Sequence, residues 1–148
     1  MRNAPVTTTL GKQGVYQDAQ VLQTLMHRFV PLQAPLTSAN FDGDSFSTTA
    51  KTVIDLSVEF GAPAGIRAAL FRYAIRDAGS AANDTWVILS PTNVATTGIT
   101  ADCHPVDDRW TRGAFVVPCD ANGDVYYQIQ ASGAGLFELS LQIWGYFI

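Results

Sequence analysis

The chain has 148 residues, a net charge of −4, 15% charged residues and 47% apolar residues. That length suits one domain with a full core, and the charged fraction lies well below the roughly 25% of ordinary globular domains. Nine basic residues scattered without a patch exclude nucleic-acid binding through phosphates, and no apolar run approaches the ~18 residues that would insert into a membrane.

A low-charge surface fits a protein that hides much of itself in an assembly; a Thr/Ser-rich β domain would have the same composition. Met1 to Thr9 carries no apolar stretch of the secretory-signal kind, so synthesis in a reducing cytoplasm is expected. Cys103 and Cys119 then read as buried small hydrophobes rather than as a disulfide.

Asp18 to Val30 places Val21, Leu22, Leu25, Met26, Phe29 and Val30 on one side of a short amphipathic helix. Asp18 sits where an N-cap or first-turn acid helps, and Pro31 ends the helix. The alternative is an extended arm over residues 6–30, because Val6 to Thr9 favour strand. Pro31 and Pro35 mark a linker. The chain therefore divides into an attachment arm and linker, 1–40, and a β-sandwich domain, 41–148. Leu22, Leu25, Met26 and Phe29 are the arm's candidate assembly contacts.

Thr52 to Phe60 alternates, with Ile54, Leu56, Val58 and Phe60 on one face, and predicts a strand. Gly61 to Gly65 is a turn. Ile66 to Ile75 is apolar on both faces and suits a covered central strand, with a short helix as the rival. Gly79 to Asp84 reads as a loop. Further strands are expected over Thr85–Leu89, Gly98–Cys103, Ala114–Val117, Val125–Ala131 and Leu136–Phe147. In the last of these, Phe137, Leu139, Leu141, Ile143 and Phe147 share one face; Glu138, Ser140, Gln142, Trp144 and Tyr146 share the other. No polar tail follows Ile148, so cover from the rest of the domain and from identical neighbours is expected. Seven or eight short strands separated by turns define an all-β chain, an antiparallel β-sandwich or jelly roll.

The candidate chemistry is thin. Asp120 to Asp124 looks like a calcium loop, but Val125 and Ala131 stand where an EF-hand needs Gly and Glu. Asn122-Gly123 instead signals a type I′ hairpin, and Asp42-Gly43-Asp44 a solvated turn. Asn83-Asp84-Thr85 has the form of a glycosylation sequon that synthesis in a cytoplasm would leave bare. His104, Asp107 and Asp108 share a loop with Trp110 but lack any accompanying nucleophile or metal motif. Asp107-Asp108-Arg109 could form an inter-subunit ion pair. No placed carboxylate pair suits glycoside hydrolysis. No enzyme activity, metal or cofactor is expected. Trp86, Trp110, Tyr126, Tyr127, Trp144 and Tyr146 are candidate sugar-stacking rings, with burial in the core or an interface as the competing reading. Trp110, beside loop charges, is the foremost ligand candidate, and Trp144 and Tyr146 are candidate contacts.

Three segments, Phe41-Asp42-Gly43-Asp44-Ser45-Phe46-Ser47, Pro118 to Gln128, and Leu141-Gln142-Ile143-Trp144-Gly145-Tyr146, together resemble the C-terminal modules of poorly characterised bacteriophage virion proteins, including tail-fibre-like chains. The resemblance spans roughly residues 35–148. It implies a virion structural protein, often trimeric and exposed on the particle. The expected role is a homotrimeric component of a tail fibre or spike, in contact with other virion proteins and with a host surface glycan. A capsid decoration (cement) protein and a carbohydrate-binding module are the alternatives.

Overall fold

The computed structural model describes residues 28–81 and 84–148. Its elements in chain order are β1 (Phe29–Phe46), β2 (Thr49–Ile54), α1 (Leu56–Phe60), β3 (Ala68–Asp77), β4 (Trp86–Ser90), β5 (Ile99–Asp102), β6 (Thr111–Pro118), β7 (Val125–Gln130) and β8 (Phe137–Phe147). They form two four-stranded sheets, β1-β8-β3-β6 and β2-β7-β4-β5, with every pairing antiparallel. Strand 1 pairs with 8, 2 with 7, 3 with 6 and 4 with 5. A single long ribbon rolled up on itself gives that arrangement, the jelly-roll form of the β-sandwich.

Period-two alternation buries one face of each sheet against the other. Phe71, Ile75, Leu139 and Leu141 come from the first sheet and Val87, Leu89 and Ile129 from the second, all within one apolar core. β3 lies between β8 and β6, which explains its apolar character on both faces and removes the short-helix rival. Asp77 ends β3 as a buried carboxylate. It accepts hydrogen bonds from Gly79 N–H (2.8 Å), Ser132 N–H (3.0 Å) and the Ser132 hydroxyl, so its charge is met by donors rather than left bare.

Several sequence expectations are corrected. The boundary at residue 40 runs through the middle of β1. Phe29 and Val30 are extended and pair with Phe147 and Tyr146. The proposed helix therefore does not reach residue 30, and its remaining positions lie outside the described residues. Pro31 and Pro35, read as a linker, sit inside β1. That strand is the edge of its sheet, so a missing N–H there costs no central ladder bond, and Pro35 falls where the register shifts between Pro31 and Leu36. Asp42-Gly43-Asp44 is not a turn. Gly43, at φ 87°, is the extra residue of a bulge between the Asp42–Ser140 and Asp44–Leu139 pairs.

The alternation from Thr52 stops at Ile54. Asp55 caps α1, its carboxylate accepting from Ser57 N–H and Val58 N–H, and Gly61 closes the helix in the left-handed region at φ 70°. Leu56 and Phe60, four apart, are buried, while Val58 points outward at 74% exposure. Asn122-Gly123 turns the chain but makes no hairpin, because β6 and β7 belong to different sheets. Only Gly123 has positive φ (93°), whereas a type I′ turn needs two such residues.

The last strand changes phase. Leu70 pairs with Gly145 and Phe71 with Ile143, leaving Trp144 as an extra residue. Beyond this bulge Tyr146 packs against the core, and Phe147 turns to the outer face, where its ring lies 4.9 Å from Phe29. The sequence alternation had placed these two the other way round.

Candidate functional site

The outer face of the β1-β8-β3-β6 sheet is ruled into rows by its register. At one end the rows are apolar: Phe29, Phe147, Ala68, Pro118, then Pro31, Gly145, Leu70, Val116. Neither row holds a charged residue. Phe29 (40%), Val116 (42%) and Trp144 (38%) are exposed there, and Arg67, Ala68, Val116, Pro118 and Phe147 border a groove of about 390 Å³. Exposed apolar surface of this extent marks a contact region more often than bare solvent-facing sheet.

Beyond Trp144 the rows become polar: Thr37, Gln142, Arg72, Ala114, then Asp42, Ser140, Ala74, Arg112, then Ser45, Glu138, Arg76. Ala74 and Ser140 are small, so a trough opens over them. It is lined by Asp42, Gly43, Arg72, Ala74, Trp110, Arg112 and Ser140, with a volume of about 310 Å³. Such a volume sits at the low end for small-molecule clefts.

Arg76 holds the trough's aromatic wall in place. Its guanidinium makes two parallel bonds to Glu138, both 2.8 Å, and a third to Asp108 at 2.7 Å. Forked Arg–carboxylate pairs of this kind are geometrically specific. The Trp110 ring lies over that anchored guanidinium, 4.9 Å from Arg76 Cζ to the ring centroid, and Arg112 Cζ lies 5.5 Å away. The approaching loop is fixed from below by the Asp108 N–H, which donates to the Asp77 carbonyl at 2.9 Å, with Asp108 at φ 57°. Arg72 donates only a long bond, 3.5 Å, to Gln142, which also receives the Trp144 indole N–H at 3.2 Å. Among the described residues, neither Arg72 nor Arg112 has a carboxylate partner. Asp42 receives the Ser140 hydroxyl at 3.5 Å.

The sequence-derived contacts separate on this frame. Trp110 lines the trough, and Phe29 and Trp144 lie on the apolar half. Tyr146 faces inward. Leu22, Leu25 and Met26 lie outside the described residues. Trp86, Tyr126 and Tyr127 belong to the second sheet, so the aromatics do not form one platform. Asp108 bonds to Arg76 within the chain. His104 accepts from Val106 N–H at 3.1 Å and shapes its own loop. Arg72, Arg112 and Asp42 were missed as trough residues, because nothing local ties positions 42, 72 and 112 together.

The Asp120 to Asp124 acids are used by the backbone. Asp120 accepts from Asn122 N–H and Asp124 N–H, and Asp124 from Leu56 N–H. Burial, then the charge of Asp55, pushes the Asp124 carboxyl above its ordinary value. No cluster of three or more metal-ligating side chains occurs among the described residues.

Both cysteines are free thiols. Burial pushes Cys103 up to about 11 and Cys119 to about 12. Thiolate is the reactive form, so the folded protein should react with a disulfide thiol reagent at pH 8 far more slowly than the urea-unfolded chain, which should release two equivalents. The sign for stability follows. Native stability is unaffected by these thiols below the ordinary value of 9.0, and falls as pH climbs from there towards about 11 for Cys103 and about 12 for Cys119. The unfolded chain ionises first on that climb, so the protonated native thiols become a liability. Rapid labelling of the native protein at pH 8 would contradict both the burial and the shift.

No protein-family model and no curated protein matches the chain significantly.

Proposed function

We propose that the protein is a structural, non-catalytic component of a bacteriophage particle surface, assembled as a homotrimer in a tail fibre or spike. The observation that carries the assembly is the pair of uncharged cross-strand rows ending in Phe29, Phe147, Pro118 and Val116, with Trp144 beside them. Covering such a surface with identical copies removes apolar area from water, and closed symmetry is the usual form of homo-oligomers. The particle setting and the number three rest on the resemblance of the 41–47, 118–128 and 141–146 segments to phage virion modules. The jelly roll agrees with that setting, since capsid and lectin domains use the same architecture. In this reading the chain is made in the bacterial cytoplasm, and residues 1–27, with Leu22, Leu25 and Met26, supply the attachment to other virion proteins.

Light scattering at micromolar concentration should give a trimer. Val116→Asp combined with Trp144→Asp introduces charge at exposed positions and should yield a folded monomer, weakening association by roughly a hundredfold or more. A parent protein that runs as a clean monomer sinks the assembly. Immunogold labelling of particles in negative stain reads the location. Label on fibres or spikes supports this reading, label on the shell transfers the protein to capsid decoration, and no label on particles defeats the virion role.

A further inference from the structure

We propose that the trough between Asp42 and Trp110 is a binding site for a carboxylate-bearing sugar, a uronic or sialic acid residue at the end of a glycan. The site is separate from the apolar rows, so it stands whether or not those rows join identical subunits.

Four features lead there. First, the floor is made of small side chains. Ala74 occupies an outward position in the alternation of β3 yet is only 7% exposed, because larger neighbours rise around it. Second, one wall is an indole held by two cations: Trp110 stacks on Arg76, whose charge is already met by Glu138 and Asp108, and Arg112 also lies over its ring. A preset ring loses little freedom on binding and adds apolar surface to the trough wall. Third, Arg72 and Arg112 flank the floor without a carboxylate partner among the described residues. Planar guanidinium donors match a carboxylate in two-bond geometry, which a hydroxyl cannot reproduce. Fourth, Asp42 stands across the row from Arg112, with Ser140 and Ala74 between them. Three inter-strand spacings of about 4.8 Å separate the two by roughly 14 Å. Asp42 at one end, Arg112 at the other and Arg72 one row over on β3 give the cleft a polarity. The ligand's carboxylate belongs at the arginines, and its hydroxyls donate to Asp42.

A bare phosphate would meet the two arginines but gain nothing from Trp110 or Asp42. A nucleic acid would need a basic track that a chain of net charge −4 with scattered cations does not have. A neutral hexose would leave both guanidiniums without a carboxylate. The combination of ring, fork and opposing acid selects an acidic sugar.

The test is an NMR titration of the full chain, following the indole N–H signals. Glucuronate, galacturonate and N-acetylneuraminate are the probes, glucose is the neutral counterpart, and inorganic phosphate is the simple anion. A saturable shift of the Trp110 signal with at least one acidic sugar is expected, with glucose weaker by roughly tenfold or more. Arg72→Gln and Arg112→Gln should each weaken binding by roughly tenfold while leaving the melting temperature unchanged, since both side chains lie on the outer face. Trp144, on the apolar half, should not respond. Equal binding of glucose, equal binding of phosphate, unaltered binding by both arginine variants, or no saturable shift with any of the three acids would each overturn the assignment.

Discussion

Deleting Ile143 to Ile148 is expected to abolish soluble expression. These residues form the end of a strand that runs between β1 and β3, so their loss opens a seam in the middle of a sheet. Ile143 is fully buried, and one such side chain contributes about 1.5–3 kcal/mol. Tyr146 packs against the same core. Partners on both sides lose their ladder: Phe29, Val30, Pro31 and Leu36 on β1, and Ala68, Ala69, Leu70 and Phe71 on β3. Each buried backbone group left without a partner costs a further 1–3 kcal/mol or so. A domain is stable by only about 5–15 kcal/mol in total, so the sum exceeds what the fold can lose. Soluble yield and the far-ultraviolet circular dichroism of the truncated chain decide the matter. A truncated protein that melts with its parent would show that the segment contributes nothing to the fold.

Phe71→Ala should lower stability by about 3–5 kcal/mol, the usual loss for a buried phenylalanine whose cavity cannot collapse. Phe71 has no exposed surface, and its ring meets Phe60 edge to face with centroids 6.2 Å apart. It thus joins the covered strand β3 to the single turn of helix that follows β2. For a chain of this size the melting temperature should fall by roughly 10–20 °C. Phe71→Leu keeps most of the volume and should cost much less. A fall of under about 3 °C for the alanine variant would mean that the core repacks around the gap and that the helix–sheet contact is dispensable.

Much of the architecture was legible along the chain. Leu139, Leu141 and Ile143 alternate with Glu138, Ser140 and Gln142, and they are buried and outward-facing in the same order. The stop at Pro91 falls where β4 ends, whereas Gly61 ends a helix rather than the strand expected before it. The helix at Leu56 was also written locally, in Asp55 as an acceptor for Ser57 and Val58, Gly61 as a left-handed stop and Pro63 beyond it. An alternation that continued through Phe60 masked those signals, since apolar residues at 56 and 60 satisfy a four-residue spacing as well as a two-residue one. Pro31 and Pro35 read as a linker because proline is excluded from central strands, and their strand turned out to be an edge.

Trp110 stood out in the sequence as a ring among charges, but its role depends on side chains far away in the chain. Arg76 carries it, Arg72 and Arg112 flank it, and Asp42 faces it across two strands. What the sequence alone determined was the class: many short strands, their alternation, many of their stops, and a composition poor in charge. Those features come from local sterics and from a periodicity that any short window displays. What only the tertiary structure decided was which strands share a sheet, the phase change at Trp144 that turns Tyr146 inward and Phe147 outward, and the meeting of Asp42, Arg72, Trp110 and Arg112 in one trough. These depend on pairings between residues as distant as Phe29 and Phe147. Such pairings form when both sheets can bury their apolar faces together, and no local stretch of chain carries that condition.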